Sequence, residues 1–222
     1  MKRTSPALCF VFLLFSNLSY GQNRIGFFLF KDSVISTPIR LSSDDSLSVL
    51  RFYISDLQIT KNKKVLWKDS VRHRLIDFEK GSFNQKSARI LFPLNVLGDH
   101  VSFLLGVGEK TAARGIGEGD LDPIKGMYWT WQSGYINFKM EGVSSNSPSR
   151  KNKFLLHLGG YKKTLNTNQK VSLSIRNPDI NISFDLNKFL YEINFKERHT
   201  IMSPCQAAVD LSLLAKACFY VH

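Results

Sequence analysis

The chain has 222 residues, 43% of them hydrophobic and 22% charged, with 30 Lys and Arg against 18 Asp and Glu for a formal net charge of +12. That apolar content excludes a disordered polyelectrolyte, and the length suits one domain with its own core. The basic excess invites a nucleic-acid reading, but it is scattered through KNKK (61–64), RKNK (150–153) and YKK (161–163). Scattered charge of this kind describes solvated loops, facing at most an anionic envelope surface.

The chain begins with Met1-Lys2-Arg3, an apolar run from Ala7 to Phe15, and small residues at Ser19 and Gly21. This is the pattern of a secretory signal peptide, residues 1–21, cleaved after Gly21. A membrane anchor would need about 20 apolar residues, and no later segment supplies them. Cys9 lies inside the apolar run, not after a small-residue cleavage box, which argues against a lipoprotein. Cleavage leaves one domain, residues 22–222, with a net charge of +10 and two cysteines. Its expected location is the periplasm or the exterior, with no membrane span and no nucleic-acid partner.

Strand patterns follow one another along the mature chain. RIGFFLF (24–30) is the first. VLRFYISDLQIT (49–60) sets Leu50, Phe52 and Ile54 on one face and Leu57 and Ile59 on the other parity, so a bulge near Ser55-Asp56 is expected. HRLIDF (73–78), ARILFPL (88–94) and HVSFLLGVG (100–108) come next. GYINFKMEG (134–142) alternates, with Ile136, Phe138 and Met140 opposite Asn137, Lys139 and Glu141. KFLLHLGG (153–160) precedes VSLSIR (171–176) and INISFDL (180–186), which read as a hairpin through Asn177-Pro178-Asp179. Many short strands and little helix predict an all-β fold, an antiparallel β-sandwich with a long Gly-rich loop and a C-terminal helix. DLNKFLYEI predicts a short helical turn. At the end, Ser203-Pro204-Cys205-Gln206 reads as a capping box ahead of Ala207, Leu211, Leu214 and Cys218 at helical spacing. An unbroken helix puts Cys205 and Cys218 on the order of 20 Å apart, beyond disulfide reach.

Few residues signal chemistry by spacing alone. GVGEKTAARGIGEGDLDP (106–123) is not a dinucleotide turn, because Asp-Leu-Asp-Pro stops any helix it would open. Glu118, Asp120 and Asp122 are hard oxygen donors for a calcium ion, without the full EF-hand spacing. The histidines form no H-x-x-H or H-E-x-x-H motif. His157 shares parity with Leu155, opposite Phe154 and Leu156, and reads as a packed residue. His73 and His100 read as surface residues, and His222 as a mobile terminus. Cys205 at a helix N-terminus near His199 would be an activated thiol, but nothing orients the pair. No serine elbow and no acid pair appear, so the chain is expected not to be an enzyme. MYWTWQSGY (127–135) is different, with Trp129 and Trp131 on one face of an extended segment. Side by side, they either cap the sandwich or make a stacking platform.

The wording of this region carries more than its periodicity. GDLDPIKGMYWTWQSGYINFKMEG (119–142), with its W-x-W-Q-x-G-Y core, resembles the MbnP-like copper-binding domain family. LRFYISDLQI, RLIDF, FLLHLGGY and HTIMSP extend the resemblance over nearly all of the mature chain. It implies a secreted or periplasmic bacterial β-sandwich that binds Cu(I). In relatives a tryptophan is oxidised to kynurenine by a partner di-haem, peroxidase-like enzyme, and the product and histidines hold the metal. Here the resemblance points to Trp129 or Trp131, to His157 and, more weakly, to His199. The chain departs from the family in having two mature cysteines in place of a four-cysteine pattern. It also has EKTAARG (109–115) where some relatives carry an Asn-His pair. The reading from a different class is an envelope module that binds glycan or protein through its aromatic W-x-W face.

Overall fold

The computed structural model describes residues 22–30, 39–40, 45–78, 88–131 and 134–221. Residues 1–21, where a signal peptide is expected, and His222 lie outside them. In chain order the strands are β1 (Gln22–Phe30), β2 (Ile39–Arg40), β3 (Ser46–Lys61), β4 (Lys64–Lys68), β5 (His73–Asp77), β6 (Ala88–Pro93), β7 (His100–Leu105), β8 (Tyr128–Trp129), β9 (Gly134–Val143), β10 (Lys153–Gly159), β11 (Gln169–Ser174), β12 (Ile180–Asp185), β13 (Thr200–Ile201) and β14 (Phe219–Val221). The helices are α1 (Glu109–Ala112), α2 (Leu186–Tyr191) and α3 (Gln206–Ala217).

Two sheets face each other. One runs β14-β12-β1-β6; the other runs β11-β7-β3-β9-β10-β13, with β2, β4 and β5 also on β3 and β8 on β9. The long strand β3 organises the larger sheet. Leu50, Phe52 and Ile54 are buried, and so are Leu57 and Ile59 beyond the parity change. The change happens at Asp56, where φ is 51° and the register against β7 shifts between Ser55 and Gln58, as the predicted bulge requires. Aspartate tolerates the left-handed region, and Lys68 and Arg72 hold its carboxylate at 3.0 and 3.4 Å.

Phenylalanines from both sheets fill the space between them. Phe52 stacks on Phe138 at 5.9 Å, Phe138 meets Phe184 at 5.5 Å, and Phe27 meets Phe103 edge-on at 5.7 Å. Burying each such ring contributes about 1.5–3 kcal/mol. Helix α3 lies against this core through Ala208, Leu211 and Ala215. No helix among the described residues is long and apolar enough to cross a membrane.

The structure corrects four details of the sequence reading. β11 and β12 are not a hairpin: β11 pairs with β7 and β12 with β1, so Asn177-Pro178-Asp179 carries the chain from one sheet to the other. The sheets are not wholly antiparallel, because β1–β12 and β10–β13 are parallel. Ser203 does not cap α3. Cys205 is still extended (φ −155°, ψ 170°), so the helix begins at Gln206, whose side chain bonds forward to Asp210. Strand β14, pairing with β12 directly after α3, was not expected at all. Cys205 and Cys218, at opposite ends of the helix, are free thiols, as the helix length demands.

Candidate metal centre

The large sheet buries its outer face too, under the segment that joins β7 to β9. Gly106 turns the chain at φ 115°, which a side chain would resist, and Val107 N–H donates to Asn137 Oδ1 at 2.9 Å. The segment is then fastened from below. Tyr53 O–H donates to the Asp120 carbonyl at 2.8 Å, and Arg51 Nη1 to the Lys125 carbonyl at 3.0 Å. Tyr135 O–H is shared between the carbonyls of Gly115 and Leu121. Tyr53, Val107, Ala112, Leu121, Met127, Trp129, Tyr135 and Ile136 form a second apolar cluster. The predicted ordered Gly-rich loop is therefore a lid packed on the sheet, and it contains the short helix α1.

Trp129 is the lid's anchor. It is 1% exposed and pairs with Gly134 across the β8–β9 hairpin. Its ring lies against the backbone of Gly159, where a Cβ would come within 2.6 Å of Trp129 Cζ3. Its Nε1 is buried and has no hydrogen-bond partner among the described residues. Trp131 shares its neighbourhood but not its burial. The rings are 6.5 Å apart at 39°, yet Trp131 is 64% exposed, because the strand ends at Trp129 and Trp131 sits in the turn. The single shared face expected of the two indoles is thus split into one core ring and one surface ring.

His157 is two residues before Gly159 on β10, on the outer face, and is 6% exposed. Its Nε2 lies 2.7 Å from Glu141 Oε1, and Lys139 Nζ holds the same carboxylate oxygen at 3.1 Å. The His157 hydrogen bond first, then Lys139, hold the Glu141 carboxyl down to about 2 against the opposing effect of burial. An ionised carboxylate only accepts, so Nε2 carries a proton, and in the neutral ring Nδ1 is the nitrogen with the lone pair. That Nδ1 is buried without a partner among the described residues. A carboxylate behind one imidazole nitrogen, with the other left free, is the arrangement that orients histidine ligands toward metals. Glu141 was not singled out from sequence: the polar face of GYINFKMEG was visible, but not the register that sets it beside His157.

His199 joins β10 through its backbone, its carbonyl accepting Leu155 N–H at 2.8 Å as β13 pairs with that strand. Its Nδ1 is also buried and unpartnered among the described residues. A cavity of about 210 Å³ adjoins Trp129, lined by Gly160, Tyr161, Lys162, Leu165 and Pro204 among others. The calcium expectation is corrected: among the described residues no three His, Cys, Asp or Glu gather, and two of the three carboxylates serve the backbone instead. Asp120 Oδ2 accepts from Leu75 N–H, and Asp122 Oδ1 from Ile124 N–H. His73 is also corrected. It is half-buried, with Nδ1 2.7 Å from Ser55 Oγ and Nε2 3.2 Å from Thr111 Oγ1, tying β5 to β3 and to α1.

A search of the curated proteins returns no match. Among solved structures, MbnP from Methylosinus trichosporium superimposes with a TM-score of 0.57 at 14% identity, over 85% of this chain and 86% of that one. At that identity the likeness speaks for the fold. The family model described as MbnP matches residues 27–205, which takes in the whole lid, the W-x-W segment and both histidines. The chain belongs to the MbnP family.

Proposed function

We propose that this chain is an exported copper-binding protein and not an enzyme, acting in the periplasm or outside the cell. His157 and His199 would hold Cu(I), together with Trp129 once that residue is converted to kynurenine by a partner di-haem oxidase. One observation carries the reading: the buried side-chain nitrogens without a partner among the described residues include Trp129 Nε1, His157 Nδ1 and His199 Nδ1. Leaving such atoms unpaired is costly in a finished core, and it is the expected condition of ligand atoms. Two imidazoles suit Cu(I), whereas an intact indole is a poor ligand; kynurenine would add an aniline nitrogen and a carbonyl oxygen. Of the two tryptophans, Trp129 fits the role, since its buried ring packs on Gly159, two residues along β10 from His157.

The test is competition against a Cu(I) chelator. Protein from its native host should hold copper more tightly than protein made without the oxidase, and His157→Ala should weaken the native form while the fold persists. Peptide mapping should find the oxidised residue at position 129. Equal copper retention by His157→Ala, Trp129→Phe and the parent would sink the reading. A second reading, glycan or protein recognition by the aromatic face, is favoured by the exposure of Trp131 at 64%. It would appear as quenching of tryptophan fluorescence by the ligand without metal.

A further inference from the structure

We propose that Trp131 and Trp129 form an electron path from the surface to a buried ring, so that a bulky one-electron oxidant acting on Trp131 oxidises Trp129. The inference deepens the proposed function, because it names where an oxidising partner would act on Trp129, but the step itself needs no metal.

The geometry has the three parts such a path needs. Trp131 is 64% exposed and Trp129 1% exposed, so an oxidant too large to enter the fold meets only the former. The ring centroids are 6.5 Å apart, inside the range of interacting aromatic pairs. The electron therefore crosses between neighbouring rings with no residue interposed in sequence space but Thr130. In the step, one electron leaves the Trp129 ring and refills Trp131, which has just given one electron to the oxidant. No bond breaks and no proton moves. The oxidant is reduced by one electron, and Trp131 ends unchanged.

The surroundings keep the vacancy on indole. Oxidising a phenol requires its proton to leave, and the two buried tyrosines of the cluster, Tyr53 and Tyr135, offer that proton only to amide carbonyls, which are poor bases. Tyr53 O–H donates to Asp120, and Tyr135 O–H to Gly115 and Leu121. Burial raises both phenol pKa values further. Trp129 Nε1–H faces no acceptor among the described residues, so its oxidised ring does not lose a proton at once.

The experiment uses the full-length chain, metal-free and made without any oxidase, with photogenerated tris(bipyridine)ruthenium(III) and a cobalt(III) quencher in air-saturated buffer, where dioxygen traps the oxidised ring as a stable oxygenated product. Peptide mass mapping then reads oxidation at each tryptophan. Trp67 is the internal control, since it is half-buried and packs on Phe92 without an indole neighbour. Trp129 should be oxidised more than Trp67 in the parent, and no more than Trp67 in Trp131→Phe. Trp131→Leu repeats the comparison should the phenylalanine disturb the turn. Oxidation of Trp129 that is undiminished in these variants, or confined to Trp131 in the parent, overturns the path. Loss of Cu(I) binding with the path intact would count against the metal reading alone, and the reverse result against this inference alone.

Discussion

His157 and Glu141 face each other from adjacent strands with Nε2 and Oε1 2.7 Å apart, and Lys139 Nζ closes on the same oxygen at 3.1 Å. The register that pairs His157 with Lys139 puts Glu141 one diagonal step away on the same face. Arg51 continues the row on β3, opposite Lys139 on one side and ion-paired with Asp77 at 3.1 Å on the other. One imidazole orientation is thus held by a row of charges spanning four strands.

Glu141→Gln tests what that row does. An amide can donate to Nε2, which would move the imidazole proton to Nδ1 and remove the lone pair offered to metal. On the proposed reading Cu(I) affinity should fall about 10–100-fold, the range typical of lost partners behind a ligand. Far-UV circular dichroism should match the parent. Chelator competition checks the first outcome, and unchanged affinity would show that Glu141 serves packing alone.

The thiols give a test free of metal. Cys218 is 2% exposed, and burial pushes its thiol up to about 11, so little thiolate forms at neutral pH. Cys205 is only half-buried. Under native conditions an alkylating agent should label Cys205 well before Cys218. Under denaturing, non-reducing conditions both should label. Two unlabelled cysteines in a denatured monomer would mean a bridge, which helix α3 between them forbids.

What could be read in advance follows the range of the forces involved. Alternation on β3, and the parity change that marks the Asp56 bulge, are local and were legible, as was the polar face of β9. The destinations of β11 and β12 were not, because Asn177-Pro178-Asp179 serves equally a hairpin or a crossing between sheets. Ser203-Pro204 has the composition of a helix start, but Cys205 stays extended. The histidine and the tryptophans were findable from the wording of their strands. The Glu141–His157 pair depends on register, which a single sequence does not disclose.

Gly159 explains how Trp129 comes to lie so deep. A Cβ there would approach Tyr135 O to 2.5 Å and Trp129 Cζ3 to 2.6 Å, and neither the strand backbone nor a buried indole can yield. Gly159→Ala should therefore cost about 1–3 kcal/mol, the usual range for overpacking. Denaturant unfolding measures it. Adding Trp129→Leu should recover part of the loss by freeing one of the two clashing groups, and strict additivity of the two changes would contradict the contact.

His73 sets a pH window for the lid. Ser55 Oγ–H is committed to the Gly106 carbonyl at 2.6 Å, so His73 Nδ1–H donates to Ser55 Oγ, and Nε2 accepts from Thr111 on α1. Burial first, then Arg72, lower the His73 pKa from its ordinary value of 6.5, with Asp56 opposing. The unfolded chain therefore takes up a proton as pH falls through about 6.5 while the folded chain resists it. Stability from this group is fully present above that pH and is lost progressively as pH drops toward the lowered folded value. Between about pH 8 and about pH 5, the parent's urea midpoint should decline more than that of His73→Gln, whose side chain does not titrate. Thr111→Val, which removes only the partner on α1, should keep the decline but loosen the lid, read as faster amide exchange in 107–113. Parallel pH profiles for the parent and His73→Gln would show that the imidazole carries no such linkage.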